Sequence, residues 1–135
     1  MKIAKKKLQT YNSFVKTTGY NELYPVFSFA NFKESEFFTP EMIQKKEELY
    51  YFFVNMSKFS TQKWKDIKTK PNIYHFHEID NDKNINAKLK IDEEITLVQF
   101  KIPGEKQSRI VGYFDNENVF NIVTYDYKHL IYKRN

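Results

Sequence analysis

The sequence predicts an α+β fold, in which an antiparallel sheet of four to five strands carries two helices packed on one face. Three runs rich in β-branched and aromatic residues lie between 95 and 126, and short polar turns separate them. Such a pattern is typical of an antiparallel meander. Upstream, Thr39, Pro40 and Glu41 mark a helix start, because they supply an N-cap, a first-turn proline and an acid that suits the helix dipole.

The first half of the chain predicts a strand and then a long helix. Residues 23–32 alternate and indicate a strand, with Pro25 at its start or on an edge of the sheet. The helix is expected from Thr39 to Ser57 or Phe59, with its buried side formed by apolar residues at helical spacing. This stripe comprises Met42, Leu49, Phe53 and Met56, with Tyr50 and Phe52 at its flanks.

A second, short helix is predicted over residues 60–70, where it carries the single tryptophan, Trp64. Trp64 is expected to be a core anchor, although a base-stacking platform would have the same sequence pattern. Pro71 is expected to end this helix. The polar stretch 80–90 predicts a loop.

Residues 73–79, between the second helix and the polar stretch, point alternately to two sides in an extended chain and predict a strand. Alternation places His75 and His77 on one face and Glu78 on the other. Two histidines in this spacing could ligate a metal, with Asp126 or His129 completing the set. A strand histidine that faces solvent or an aromatic ring has the same pattern.

Each strand of the meander has a core face and a second face. The core faces carry Val98, Phe100, Ile102, Ile110, Phe114, Phe120 and Ile122. The second face carries Gln99, Lys101, Arg109, Tyr113, Asn121 and Tyr125. Because this second face is polar and aromatic, we expect function there.

Length and composition indicate one domain over 1–135, since 135 residues with 41% hydrophobic content are enough for a single core. The Lys-rich residues 1–20 predict either a frayed terminus or a flexible basic arm that contacts nucleic acid or a partner.

The absence of cysteine fits a reducing compartment. No apolar run approaches the roughly 18 residues of a membrane span, and the Lys-rich start lacks the apolar core of a secretory signal. We therefore expect a cytoplasmic protein without a membrane partner.

The net charge of +5 and the high tyrosine content suit a polyanionic partner, because cationic side chains release counterions from phosphates. A merely soluble Lys-rich protein would have the same totals. With three glycines, the chain lacks a Gly-rich phosphate loop, and no cofactor is expected.

The hairpin geometry of the meander predicts that Arg109 and His129 are near neighbours. Arginine binds phosphate oxygens, and histidine transfers protons near neutral pH.

The segments 109–115 (Arg-Ile-Val-Gly-Tyr-Phe-Asp) and 122–132 (Ile-Val-Thr-Tyr-Asp-Tyr-Lys-His-Leu-Ile-Tyr), together with the order of elements, resemble the RelE/YoeB superfamily of bacterial toxins. The likeness extends over about 24–132 in element order and over 95–132 in motif. It implies a RelE-like fold and a basic endoribonuclease that cleaves mRNA without metal, usually on the ribosome. It also implies an antitoxin protein as a partner.

By this resemblance, Arg109 steadies the scissile phosphate and His129 is the acid. Glu78 is the nearest candidate for the base, with His77 as an alternative. The residues expected to bind nucleic acid are Lys101, Tyr113, Tyr125, Tyr127, Lys128 and Tyr132, since lysines contact phosphates and tyrosines stack on splayed bases.

The chain departs from the family in two places. Leu130 follows His129 where the family has its terminal tyrosine, and residues 80–92 are an insertion. An alternative function is a non-catalytic phage or mobile-element protein that binds and inhibits or regulates another protein or a nucleic acid. A metal enzyme built on His75 and His77 is a third hypothesis.

Overall fold

The computed structural model describes residues 20–79 and 83–132, which form a five-stranded sheet and four α-helices. The strands are β1 (Phe27–Ser28), β2 (His77–Glu78), β3 (Val98–Phe100), β4 (Arg109–Phe114) and β5 (Phe120–Asp126). The helices are α1 (Lys46–Phe59), α2 (Trp64–Lys68), α3 (Pro71–Tyr74) and α4 (Lys83–Lys88). The predicted arm, residues 1–20, lies outside the described residues except for Tyr20.

The α+β class is confirmed, but the sheet is mixed rather than antiparallel throughout. β2, β3, β4 and β5 are antiparallel neighbours, as the meander pattern predicts. β1 lies at the edge next to β5 and runs parallel to it, with Phe27 opposite Phe120. β1 and β2 lie on opposite edges of the sheet, so that the chain between them crosses a face of the sheet and does not form a hairpin.

The first helix starts later than the capping pattern predicts. A 3-10 turn covers Pro40–Met42, and the extended backbone of Ile43 (φ −92°, ψ 102°) separates it from α1, which begins at Lys46. The side chain of Thr39 makes no capping hydrogen bond. Pro71 ends α2 as expected but also begins α3, where its fixed φ suits a first turn. The stretch expected to be a loop contains α4.

The stripe of α1 that was expected to be buried is only partly buried: Met56 packs against the core, as predicted, but the prediction was wrong for Leu49 and Phe53. Leu49 is 45% exposed, and Tyr50 and Phe53 are each 65% exposed. The side of the helix that reaches the core carries Phe52, Met56 and Phe59. Helical periodicity could not choose between these sides, because every residue from 49 to 54 is apolar or aromatic.

Both faces of the sheet are covered by apolar side chains. The helix face packs on α1, α2 and α3, and its core includes Phe59, Trp64, Ile67, Phe100, Ile110, Phe120 and Ile122. The core on the second face comprises Phe37, Ile79, Leu89, Leu97, Val111, Val123 and Ile131. The second face is therefore partly apolar rather than polar throughout, and Trp64 is a core residue with no exposed surface.

A β-bulge in β5 decides which face its last residues occupy. Val111 pairs with Thr124, whereas the next residue of β4 pairs with Ile122, which leaves Val123 as the extra residue. The bulge returns Tyr125 to the helix face, where it packs in the core. Tyr125 was expected on the second face, and simple alternation fails here because one residue has been inserted into the strand.

Gly112 beside the bulge has no room for a side chain. A Cβ built on it would lie 2.0 Å from the backbone oxygen of Asn121 and 2.6 Å from the ring of Phe120. Gly112→Ala should lower the free energy of unfolding by about 1–3 kcal/mol or more, because the backbone must move to relieve the overlap. Urea denaturation measures this loss, with the exposed helical change Ser57→Ala as control. Equal midpoints for the two variants would contradict the close approach.

Candidate functional site

Four basic residues lie near the end of the sheet where β3 leads into β4. They are His75, Lys101, Arg109 and His129, and we call them the basic cluster. The register of these strands places Lys101 level with Arg109, and the backbone N–H of His129 donates to the carbonyl oxygen of Asp126 (3.3 Å), which lies opposite Arg109. Arg109 begins β4, opposite Asp126 at the end of β5. Lys101 follows β3, and its backbone N–H donates to the carbonyl oxygen of Tyr74 over 2.6 Å.

The charges in the basic cluster act on one another. Burial lowers the pKa of His75, and the positive charges of Arg109, Lys101 and His129 lower it further. Arg109, Lys101 and His129 therefore lie close enough to His75 for their charges to act on it, and Asp126 places a buried carboxylate beside Arg109. His75 is biased towards its neutral form, in which a ring nitrogen can accept a proton.

The guanidinium of Arg109 is buried and only partly satisfied. The residue is 9% exposed, and its Nη1 donates to the carbonyl oxygens of Gln107 (2.8 Å) and Ser108 (3.0 Å). Its Nε is buried and has no hydrogen-bond partner. A buried donor without an acceptor is costly, and an anion placed against it would remove that cost.

The carboxylate of Asp126 holds the C-terminal turn against this site. Asp126 has no exposed surface, and its two oxygens accept from the backbone N–H groups of Leu130 (2.9 Å) and Ile131 (2.8 Å). The turn between them puts His129 in a left-handed conformation, with φ of 56°. His75 also has a left-handed backbone, with φ of 48°. Non-glycine residues rarely adopt this region, and such positions concentrate at functional sites.

A chain of hydrogen bonds continues from His129 across the second face. The carbonyl oxygen of Tyr132 accepts from His129 Nε2 (2.7 Å) and from Gln99 Nε2 (3.2 Å). Because a carbonyl can only accept, His129 Nε2 carries a proton. Gln99 Nε2 also donates to His77 Nε2 (3.0 Å), so that this nitrogen is already an acceptor.

The structure brings some of the expected catalytic residues together and not others. Arg109 and His129 both belong to the basic cluster. His77 lies on the same face but is engaged by Gln99. Glu78 is exposed on the edge strand β2 and, as the neighbour of His77, points to the helix face, because adjacent strand residues point to opposite sides.

His75 was considered only as a metal ligand in the sequence, yet it belongs to the basic cluster. The signal that could have identified it is its pairing position. His77 lies opposite Gln99. His75, two residues earlier in the chain, therefore comes level with Lys101, which in turn comes level with Arg109. Local sequence does not contain that register.

The residues expected to bind nucleic acid are divided between the two faces. Lys101 is in the basic cluster, Tyr132 packs its ring 5.0 Å from that of His77, and Tyr113 accepts a hydrogen bond from Asn31 (3.0 Å) at the far end of β4. Lys128 is exposed beside the C-terminal turn.

Tyr125 and Tyr127 pack instead against the core of the helix face. The hydroxyl of Tyr125 donates to Ser108 Oγ (2.9 Å), and burial raises its pKa. The hydroxyl of Tyr127 donates to Glu48 Oε2 (2.7 Å), and this bond raises the pKa of Tyr127 to about 12. Neither ring lies on the face of the basic cluster, so the structure does not bring these two tyrosines to the site.

Among residues 20–79 and 83–132, no group of three or more His, Cys, Asp or Glu side chains could hold a metal ion. No helix in the same ranges is long and apolar enough to cross a membrane. No family model matches the sequence, and neither a curated protein nor a solved structure shows significant similarity to it.

Asp126→Ala should lower the free energy of unfolding by about 2–4 kcal/mol, because two backbone donors lose their acceptor and Arg109 loses its opposite charge. Asp126→Asn retains one acceptor oxygen and should cost less. Urea denaturation of both variants beside the exposed control Glu117→Ala measures the difference. The same stability for Asp126→Ala and Glu117→Ala would mean that the carboxylate does not hold the turn.

Proposed function

We propose that the basic cluster binds an RNA phosphate and that the chain is a metal-independent endoribonuclease of the RelE-like kind. The observation that carries the proposal is the buried, unpartnered Nε of Arg109 among three further basic side chains. A phosphodiester supplies both the acceptor that Nε lacks and the negative charge that the cluster attracts.

The proposed reaction is attack of a 2′-hydroxyl on the adjacent phosphorus. The 2′-oxygen–phosphorus bond forms and the phosphorus–5′-oxygen bond breaks, which leaves a 2′,3′-cyclic phosphate and a 5′-hydroxyl. The neutral ring of His75 accepts the 2′ proton, and the ring of His129 donates a proton to the 5′-oxygen. The proton count is thus balanced.

Arg109 and Lys101 would stabilise the negative charge that develops on the phosphate oxygens. Their contribution is large because burial of Arg109 lowers the local dielectric constant and because the hydrogen bonds of Nη1 hold the guanidinium in place before substrate arrives. His75 replaces Glu78 as the proposed base, since Glu78 points to the other face.

The resemblance to the RelE/YoeB superfamily supplies the rest of the proposal. The substrate would be mRNA, cleaved on the ribosome in the cytoplasm, and an antitoxin protein would hold the enzyme inactive. Stacking of splayed bases would fall to Tyr132 and Tyr113 on the second face, because Tyr125 and Tyr127 lie on the other.

Purified protein incubated in EDTA with RNA, or with translating ribosomes, should cleave the RNA. His129→Ala and Arg109→Ala should each lower the rate by about a hundredfold or more, since one removes the acid and the other the main charge on the transition state. Arg109→Lys retains a charge and should keep more activity than Arg109→Ala. Gel analysis of end-labelled RNA measures the rates.

Lys45→Ala, an exposed lysine just before α1, is the matched control and should cleave at the wild-type rate. Circular dichroism spectra of all variants exclude misfolding as the cause of a loss. Wild-type activity in both His129→Ala and Arg109→Ala would remove these residues from the mechanism. Absence of cleavage under every condition would favour the non-catalytic binder.

The His75 pKa should rise when a phosphodiester binds, because the added negative charge opposes the three cations that lower it. Affinity for a 2′-deoxy dinucleotide, which stays ionised and cannot react, should therefore increase as the pH falls from about 8 to about 5.5. Calorimetry over this range measures the slope, and His75→Asn should flatten it. Identical slopes for wild type and His75→Asn would contradict a role for this ring.

A further inference from the structure

A deep groove opens on the helix face, on the other side of the sheet from the basic cluster. Its volume is about 580 Å³. Aromatic side chains line it: Phe29, Phe32 and Phe38 before α1, and Tyr51, Phe52 and Phe53 on α1. Its floor is formed by Ile110, Ile122 and Tyr125. We call this cavity the aromatic groove.

The rim of the aromatic groove exposes large apolar side chains to solvent. Phe29, Tyr51 and Phe53 are each more than half exposed. Leu49 lies one helical turn before Phe53 on the same side of α1 and adds to this surface. Contiguous exposed apolar surface of this kind marks a site of interaction, because isolated proteins rarely leave it open.

Two carboxylates lie inside this apolar surface. Glu48 lines the aromatic groove and accepts the hydroxyl of Tyr127, and Glu105 lines it from the loop between β3 and β4. Oε1 of Glu105 is buried without a hydrogen-bond partner. Burial raises the pKa of Glu105, and the negative charge of Glu48 raises it further, whereas a hydrogen bond from Asn55 lowers it.

The groove thus holds a buried carboxyl oxygen that its own lining does not hydrogen-bond. Lys106 also lines the groove, but its side chain is exposed, and the charge that acts on Glu105 is that of Glu48. A wholly apolar occupant would leave the buried Oε1 of Glu105 without a hydrogen-bond donor, which is costly. An acidic occupant would be repelled. A cation on an apolar stem satisfies both requirements.

We propose that the aromatic groove binds a segment of a partner polypeptide in which an arginine or a lysine is flanked by apolar side chains. The cation enters between Glu48 and Glu105, donates to the buried Oε1, and lies against aromatic faces. The flanking apolar side chains cover Leu49, Phe53 and Phe29 on the rim. This proposal does not depend on the chemistry of the basic cluster, which is on the opposite face.

The test uses the full chain and two labelled pentapeptides, Phe-Leu-Arg-Leu-Phe and the same peptide with citrulline in place of arginine. Citrulline has the shape of arginine but no charge, so that the pair differs only in the cation. The arginine peptide should bind about tenfold more tightly in fluorescence anisotropy, which is the effect of one charge-assisted hydrogen bond.

Glu105→Gln should abolish the preference for the arginine peptide and leave the affinity of the citrulline peptide unchanged. Glu117→Gln is the matched control, since Glu117 is exposed in the turn between β4 and β5, and it should retain the preference. Phe53→Ser should weaken both peptides equally, because it removes apolar rim surface and no charge.

Three results would overturn the proposal. The first is equal affinity of the two peptides for the wild-type chain, or a preference that survives Glu105→Gln. The second is the absence of saturable binding at peptide concentrations up to about 1 mM, because a dissociation constant above this value is too weak for specific recognition. The third is concentration-dependent dimerisation in sedimentation that Phe53→Ser removes, which would make a second copy of the chain the occupant.

Discussion

The buried carboxylate of Asp126 is the group on which the second face of the protein depends. It accepts the backbone N–H groups of Leu130 and Ile131 and lies opposite Arg109 in the sheet. A buried carboxylate needs such partners, because an unpaired one would be strongly destabilising. The consequences extend along the tail: Ile131 enters the second core, and the Tyr132 carbonyl meets both His129 and Gln99.

The β-bulge makes that interaction available. Strict alternation along β5 would place Asp126 on the helix face and Tyr125 on the second face. The extra residue, Val123, reverses both assignments. Asp126 thereby comes level with Arg109, and Tyr125 becomes part of the floor of the aromatic groove. A single inserted residue therefore organises both surfaces, and the lack of a side chain at Gly112 lets the strands approach there.

The two faces of the sheet carry different groups that could bind a ligand. The basic cluster surrounds a buried guanidinium donor on one side, and Glu48 and Glu105 lie in an apolar groove on the other. The proposed polyanion and the proposed cation on an apolar stem would bind on opposite faces of the sheet, so that neither would block the other.

The sequence by itself determined the meander, the α+β class and the core role of Trp64, because these follow from local periodicity and side-chain volume. It also indicated Arg109 and His129, since a hairpin relates nearby segments. It could not determine the parallel edge strand or the place of His75 in the basic cluster, because both depend on pairing between distant segments. Only tertiary packing chose the exposed side of α1, because the helix is apolar all round between 49 and 54 and no pattern distinguishes its faces.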